Sequence, residues 1–410
     1  MDLTYPEELV AIGDSLVRFI DREVVSLEQS NAELLKSERN VYDATGRYVP
    51  KVLELRRQVR MRSAELGFYN LFGEPALGGE GLGAVAAIYL QELLNHRYGP
   101  ERLLIQTVVL PSPFTNGLTP VLTHLATEVF ERFGHDIRNG SKTLCFALSE
   151  PDAGSDVFSL KTRAVREGDE WIINGSKQWI TNSPYADFAL VFAITHDELF
   201  RNRQGGVTGF FVPTDTPGFS VPGIIPVMGH LGGETGIVAL DGVRVPDEYR
   251  LGAVDSGLQV ALHGVNTGRL SMAGTCVGLA RWALDQAVEY AKVRKTFGKP
   301  IGEHQAVQFL LANSAIDIYA VKSMTQNLAW RIDQGQPSIK ELSMVKAAAT
   351  EMLGRVMDRC MEVHGGMGLT NELRLEAGFR YARLLRIPDG TAEIQRRSIA
   401  QQMLRGDTSL

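Results

Sequence analysis

The sequence has few of the features that would stitch, anchor or strongly charge a chain. Its three cysteines, Cys145, Cys276 and Cys360, stand far apart, with no CxxC and no Cys/His cluster. That argues against a disulfide framework and a structural zinc site, and points to a reducing compartment. No apolar run approaches the ~18 residues needed to cross a bilayer. Asp2, Glu7, Glu8 and Asp14 occupy the stretch where a signal peptide would be basic and then apolar. The expectation is a soluble, cytoplasmic protein. With 42 Lys+Arg against 48 Asp+Glu, the formal net charge is −6, which gives no basic footprint for nucleic acid or an anionic membrane. Familiar catalytic motifs are missing too: no GxGxxG opening a helix after a strand, no GxxxxGK[ST], no HExxH and no GxSxG. Rossmann-type nucleotide binding, zinc hydrolysis and α/β-hydrolase acyl transfer lose their support. The eight histidines form no metal-spaced pair, so no metal site is expected. Chemistry in such a chain falls to a bound organic cofactor that the protein places and tunes.

What is present is an ordinary globular composition, 44% hydrophobic and 22% charged over 410 residues, enough for two or three domains. Residues 1–141 read as helices, with Val52–Val59 and Ala84–Leu90 separated by Gly/Pro punctuation. The Gly-rich Gly78–Gly83 piece follows no strand and lacks a Lys-Ser/Thr ending, so it reads as a loop. Over 142–252 the period changes to two, in short runs such as Leu144–Leu148, Trp171–Ile173, Gln178–Thr181, Phe188–Ile194, Val207–Val212 and Ile237–Leu240. Asn174-Gly175 between two of these runs predicts a hairpin turn. From 253 to 410 long helices return. Val277, Ala280, Leu284, Ala287 and Ala291 step by three or four; so do Phe309, Ala312, Ile316, Ala320, Met324 and Leu328, and again Leu342, Val345, Ala349, Met352, Val356, Cys360 and Val363. These stripes predict the packed faces of a helical bundle.

Four segments carry candidate chemistry. Ser149–Asp156 ends a β run with small residues and free N–H groups, suited to an anion or carbonyl, or else to a surface turn. Trp179-Ile180-Thr181-Asn182 offers a flat wall and a hydroxyl for a planar ring; the alternative is a core Trp. Arg294–Pro300, followed by Gly302–Gln305, places cations at a helix end, either as a cap or as a pyrophosphate clamp. Glu362–Gly368 precedes Ile387–Gln395, where Thr391 is a good N-cap and the helix N-terminus favours an anion. Asp389 is there either as a turn residue or as a reacting group.

In this order, and most densely from Ser149 to Gln402, these segments resemble the acyl-CoA dehydrogenase family. The most specific stretches are Glu150-Pro151 to Ser155-Asp156, Trp179–Asn182, Arg294–Gly298 with His304-Gln305, and Gly365–Gly368. The resemblance implies an α+β multidomain fold with an N-terminal helical domain, a central β-barrel and a C-terminal four-helix bundle, assembled as a homotetramer or homodimer. It implies FAD. Family FAD positions fall on Phe146, Leu148, Ser149, Gly154 and Ser155, and on Trp179, Ile180 and Thr181, with the Trp beside the isoalloxazine and the Thr near flavin N5. Arg294, Thr296, Phe297, Gln305, Gly365 and Gly366 match positions that reach the FAD of a neighbouring subunit. Thr391 matches a contact of the last helix, while Glu362 and Glu393 stand where Gln is usual. Ser155, Asn266, Arg269 and Gly390 fall at substrate or CoA positions, Asn266 replacing a more usual Asp.

The main departure lies at the base. Most members have Glu before Gly-Thr, where this chain has Asp389-Gly390-Thr391, and the slot used by a minority is Gly268. Asp389 is therefore the expected base. The implied reaction is α,β-desaturation of an acyl-CoA (or acyl-carrier) thioester: Asp389 takes the Cα proton, a hydride passes from Cβ to flavin N5, and electrons leave to an electron-transfer flavoprotein or similar acceptor. The Asp389 N–H and a ribityl hydroxyl would stabilise the enolate oxygen. Asp is one methylene shorter than Glu, and a ~1 Å misplacement can cost ~10²-fold in rate, so either the backbone sits closer or the substrate is bulky near Cα and Cβ, which a branched or cyclic acyl group fits better than a plain one. Two other readings remain open: a nitroalkane-oxidase-like flavoenzyme using Asp389 and O₂, and a non-enzymatic paralogue.

Overall fold

The computed structural model describes residues 4–409. Four principal helices precede the strands: α1 (Glu7–Phe19), α2 (Pro50–Glu65), α3 (Ala84–Tyr98) and α4 (Thr127–Arg138). Eight strands follow, β1 (Leu144–Ala147), β2 (Arg163–Glu167), β3 (Glu170–Thr181), β4 (Phe188–Ile194), β5 (Val207–Pro213), β6 (Phe219–Ile224), β7 (Thr235–Pro246) and β8 (Arg250–Leu251). Then come α5 (Gly257–Val293), a small hairpin of β9 (Lys295–Thr296) and β10 (Lys299–Pro300), and α6 (Gln305–Asp333), α7 (Ile339–His364), α8 (Leu375–Leu385) and α9 (Ala392–Leu404). No helix among the described residues is long and apolar enough to cross a membrane.

The chain forms two compact units. One holds residues 20–81 and 103–268; the other holds the residues up to Phe19, Leu82–Arg102 and Arg269 onward. In the first, the strands make one eight-stranded sheet ordered β6-β7-β3-β2-β4-β5-β8, with β1 parallel to β4. β4 is buried along its whole length and β5 along nearly all of it, as their unbroken apolar runs require. Phe188, Phe211, Phe133 and Tyr249 interlock at the centre of this core.

The expected turn at Asn174-Gly175 is not there. β3 runs straight through it, and the chain reverses instead beside Gly168, whose φ is +61°. A two-residue hairpin turn of this type needs two left-handed residues. Here only Gly175 has positive φ, and the pairing with β7 skips from Ile173↔Val243 to Gly175↔Leu240. The pair thus makes a β-bulge, with Asn174 Oδ1 accepting from Gly242 N at 2.8 Å. A Cβ on residue 175 would sit 2.7 Å from Thr162 Cα, so glycine is needed for this close approach.

The second unit is helical. The α7 stripe is buried as its spacing predicts, from Leu342 through Val345, Ala349, Met352, Val356 and Cys360 to Val363. The α6 stripe is not: Phe309, Ala312, Ile316, Ala320 and Met324 face outward, and only Leu328 of that set is buried. The inward face carries Ser314, Ile318, Val321 and Thr325 instead. Ser314 and Thr325 return their hydroxyls to Leu310 O and Val321 O, both at 2.8 Å, so small polar residues are satisfied there and allow close packing on α7 and α3. Periodicity identified an apolar face but not its partner.

Candidate active site

In the sheet unit, a buried ion pair ties the Ser149–Asp156 loop to β3. Lys177 Nζ lies 2.7 Å from Glu150 Oε1, and both side chains are almost fully buried. Lys177 also donates to Leu148 O at 3.1 Å, while Glu150 accepts from Lys161 N and Thr162 N at 2.6 and 3.1 Å. Burial alone would raise the Glu150 carboxyl, but Lys177 and these donors hold it below its ordinary value. Gln178 N donates to Ser149 O at 2.9 Å, so the first two candidate segments are brought together.

Strict alternation along β3 would keep Lys177 and Ile180 on opposite faces. Both are buried, because a second register shift lies between them. At that shift Trp179 adopts a φ of +64°, which turns its indole outward, 54% exposed. It is a wall facing out, not a core Trp. Thr181 is exposed beside it, whereas the Ile180 side chain belongs to the core. Gly154 and Ser155 are exposed, Leu148 and Ser149 are half-buried, and Phe146 packs between Phe114 and Phe192. Asn266 is half-buried on the part of α5 that belongs to this unit.

In the helical unit the centre is the turn before α9. Asp389 and Gly390 have φ of +57° and +91°, consecutive left-handed residues, and Thr391 caps α9 by accepting from Ile394 N at 3.3 Å. Side chains from different helices hold the turn's carbonyls. Arg269 Nε of α5 donates to Asp389 O at 2.8 Å. Lys346 Nζ of α7 donates to Gly390 O at 2.8 Å and Arg386 O at 3.3 Å. Gln395 Nε2 of α9 reaches Asp389 O and Gly390 O at 3.0 and 3.1 Å. Among the described residues the Asp389 N–H meets no protein acceptor, and Gln395 Oε1 is buried without a partner. Burial pushes the Asp389 carboxyl up to about 6, with Lys346 and Arg269 only partly offsetting it. Burial likewise pulls Lys346 down to about 8. Sequence reasoning missed Lys177, Lys346 and Gln395. A signal existed for Lys346, which lies four residues after Leu342 and three before Ala349, on the buried face of α7.

The remaining candidates cluster elsewhere in this unit. Phe297 sits at the tip of the β9–β10 hairpin with a φ of +52° and is 96% exposed; Arg294 and Gln305 are exposed nearby. Thr296 is half-buried, its Oγ1 3.4 Å from His304 Nε2. Tyr290 stacks on His364 at 4.6 Å, which brings the hairpin's root to the end of α7, where Glu362, Gly365 and Gly366 are exposed. Lys346 and Glu362 are sixteen residues apart on α7, so this cluster and the Asp389 turn contact α7 at points separated by ~24 Å along its axis. Glu393 is exposed in the first turn of α9.

These residues fit a flavin dinucleotide. An outward indole and a hydroxyl suit a planar polar ring. At Gly365 and Gly366 an added Cβ would meet nothing within 4 Å, leaving backbone open to a ligand. The family profile for the acyl-CoA dehydrogenase middle domain matches residues 145–243, and that for the acyl-CoA dehydrogenase C-terminal domain matches 255–404. The probable acyl-CoA dehydrogenase YngJ of Bacillus subtilis is 34% identical over 360 residues, 87% of this chain and 92% of the relative. The (R)-benzylsuccinyl-CoA dehydrogenase of Thauera aromatica is 32% identical over 411 residues, 98% and 97% of the two chains. A glutaryl-CoA dehydrogenase from Mycobacterium smegmatis, solved in complex with FADH2, superposes with a TM-score of 0.81 at 25% identity, over 99% of this chain and 96% of that one. The chain belongs to the acyl-CoA dehydrogenase family, flavin oxidoreductases that use FAD and act on the CH–CH group of acyl-CoA thioesters.

Proposed function

We propose that Asp389 is the base of this chain's α,β-desaturation and that the acyl group is branched or cyclic near Cα and Cβ. The observation that carries the reading is the Asp389 carboxyl itself, half-buried on a doubly left-handed turn and pushed up to about 6. At its ordinary value of 3.8 an Asp is too weak a base for a carbon acid. An acyl chain laid over it would remove more water and strengthen it further. The Asp389 N–H, which has no protein acceptor among the described residues, is available to the thioester oxygen as negative charge develops there. FAD would supply the acceptor for the hydride that leaves Cβ. Trp179, Thr181 and the Phe146–Ser155 segment would hold it in one subunit, with Thr391 and Glu393 near the base. Ser155, Asn266, Arg269 and Gly390 would take the thioester and its CoA.

The distance along α7 supports a second element of this reading. Arg294, Thr296, Phe297, Gln305, Glu362, Gly365 and Gly366 gather away from the Asp389 turn, as residues serving a neighbouring subunit's cofactor would. The outward apolar face of α6, with Ile316 65% and Tyr319 77% exposed, suits a homodimer or homotetramer interface. Electrons would leave to an electron-transfer flavoprotein or similar acceptor in the cytoplasm. For the substrate, support comes from the short Asp arm and from similarity to a relative whose name gives a benzylsuccinyl thioester.

Anaerobic titration of the FAD-loaded protein with linear, branched, cyclic and aromatic-ring acyl-CoA thioesters tests both parts. Branched or ring-bearing members should bleach the oxidised flavin band fastest, and Asp389→Ala should retain FAD while bleaching ~10²–10⁴-fold more slowly. Linear thioesters reacting best would remove the substrate assignment. Unchanged bleaching by Asp389→Ala would remove the base.

A further inference from the structure

A fully buried lysine near a reacting carboxylate calls for an explanation. Lys346 is 0% exposed and lies on the face of α7 otherwise filled by Leu342, Val345 and Ala349. A cation in such a place is retained only where its donors are used. Its acceptors are two carbonyls that bracket the turn, Arg386 O before it and Gly390 O after it. Arg269 donates to Asp389 O, and Gln395 to Asp389 O and Gly390 O, so Lys346 adds the tie at Arg386 O.

We propose that Lys346 is a positioning residue for the base, an ammonium staple between α7 and residues 386–390 that fixes where the Asp389 carboxylate points. This rests on Asp389 being the base. The charged and titratable groups facing Lys346 are Asp389 of the turn, Arg269 and Cys276 of α5, and Glu393 of α9; Arg386 meets it only through its backbone carbonyl, its guanidinium lying 3.5 Å from Glu351. Cys276 is pushed up to about 12 by burial and stays neutral. Lys346 and Arg269 therefore supply the positive charge at the carboxylate. Removing Lys346 has two consequences. The turn keeps Gln395 on Gly390 O but loses its tie at Arg386 O, so the carboxylate loses register with the substrate. The carboxylate also loses one of its two cations, so it holds its proton to higher pH.

The test is Lys346→Met in the FAD-loaded enzyme. Folding and FAD content should persist, kcat should fall ~10²-fold, as a ~1 Å misplacement would cause, and KM should change little. The acidic limb of the kcat/KM profile should move up by about one unit, a tenfold change in proton affinity. The Asp389 titration followed by difference infrared spectroscopy should move with it. A lysine that merely supports the fold would lower stability and rate without moving the limb, so an unmoved limb overturns the proposal. Should Lys346→Met fail to fold, Lys346→Gln, which keeps a donor and loses the charge, is judged by the same limb. Asp389→Ala separates the two ideas. Activity surviving there removes the base itself, whereas activity lost there with an unmoved Lys346→Met limb removes only the staple.

Discussion

With Asp389 as the proposed base, the needs of catalysis and of folding oppose one another at this residue. Asp and Asn accept a left-handed backbone more readily than longer side chains, so a φ of +57° suits the shorter carboxylate. The carboxyl titrates near 6 when folded, against an ordinary 3.8. Between those values the folded state binds more protons than the unfolded one, so stability falls as pH rises through about 6. Asp389→Asn should slow turnover ~10²–10⁴-fold yet be more stable than the wild type at pH 8 by about 1–3 kcal/mol, unfolding at a higher temperature, with no difference at pH 4. Thermal unfolding across pH checks this. A variant less stable at pH 8 would mean the carboxylate carries no folding penalty. Activity should rise with pH through the same region, because the base must be deprotonated. The turn at Asp389 and its cap were legible from Pro388-Asp389-Gly390 before Thr391. For Lys346 the spacing gave the buried face but not the contacts, which depend on carbonyls forty or more residues away in sequence.

At the scale of elements, β3 shows how local signals are overridden. Asn-Gly is the strongest hairpin dipeptide, yet β3 absorbs it as a bulge, since Gly175 must pass close to Thr162. Gly175→Ala should destabilise the fold by ~1–3 kcal/mol through overpacking and lost positive φ, visible as a lower unfolding midpoint. An unchanged midpoint would show that Thr162 can move aside. The second irregularity turns Trp179 outward, and nothing in a single sequence announces a bulge. α7 was legible because its stripe and its burial coincide. α6 was not, because its outward side is as apolar as a core face, and period alone does not say which side packs within the chain.

On the scale of the whole molecule, the order helical, β, helical was readable from changes in period, since each texture spans many residues. The partition into two units was not, because it joins α1 and α3 to the distant C-terminal helices. The exposed Phe309, Ile316 and Tyr319 on α6 bear on assembly. Ile316→Glu combined with Tyr319→Glu should shift light-scattering mass to a smaller species and weaken FAD retention. A wild-type protein already monomeric, or a double variant with unaltered mass, would detach that face from assembly.

The central claim is that Asp389 removes the Cα proton. It is tested most directly by anaerobic single-turnover mixing of FAD-loaded protein with a thioester bearing deuterium at Cα, followed at the oxidised flavin band. A primary isotope effect is expected in the wild type, together with bleaching slowed ~10²–10⁴-fold in Asp389→Asn at unchanged FAD content. Bleaching of Asp389→Asn at the wild-type rate would contradict it.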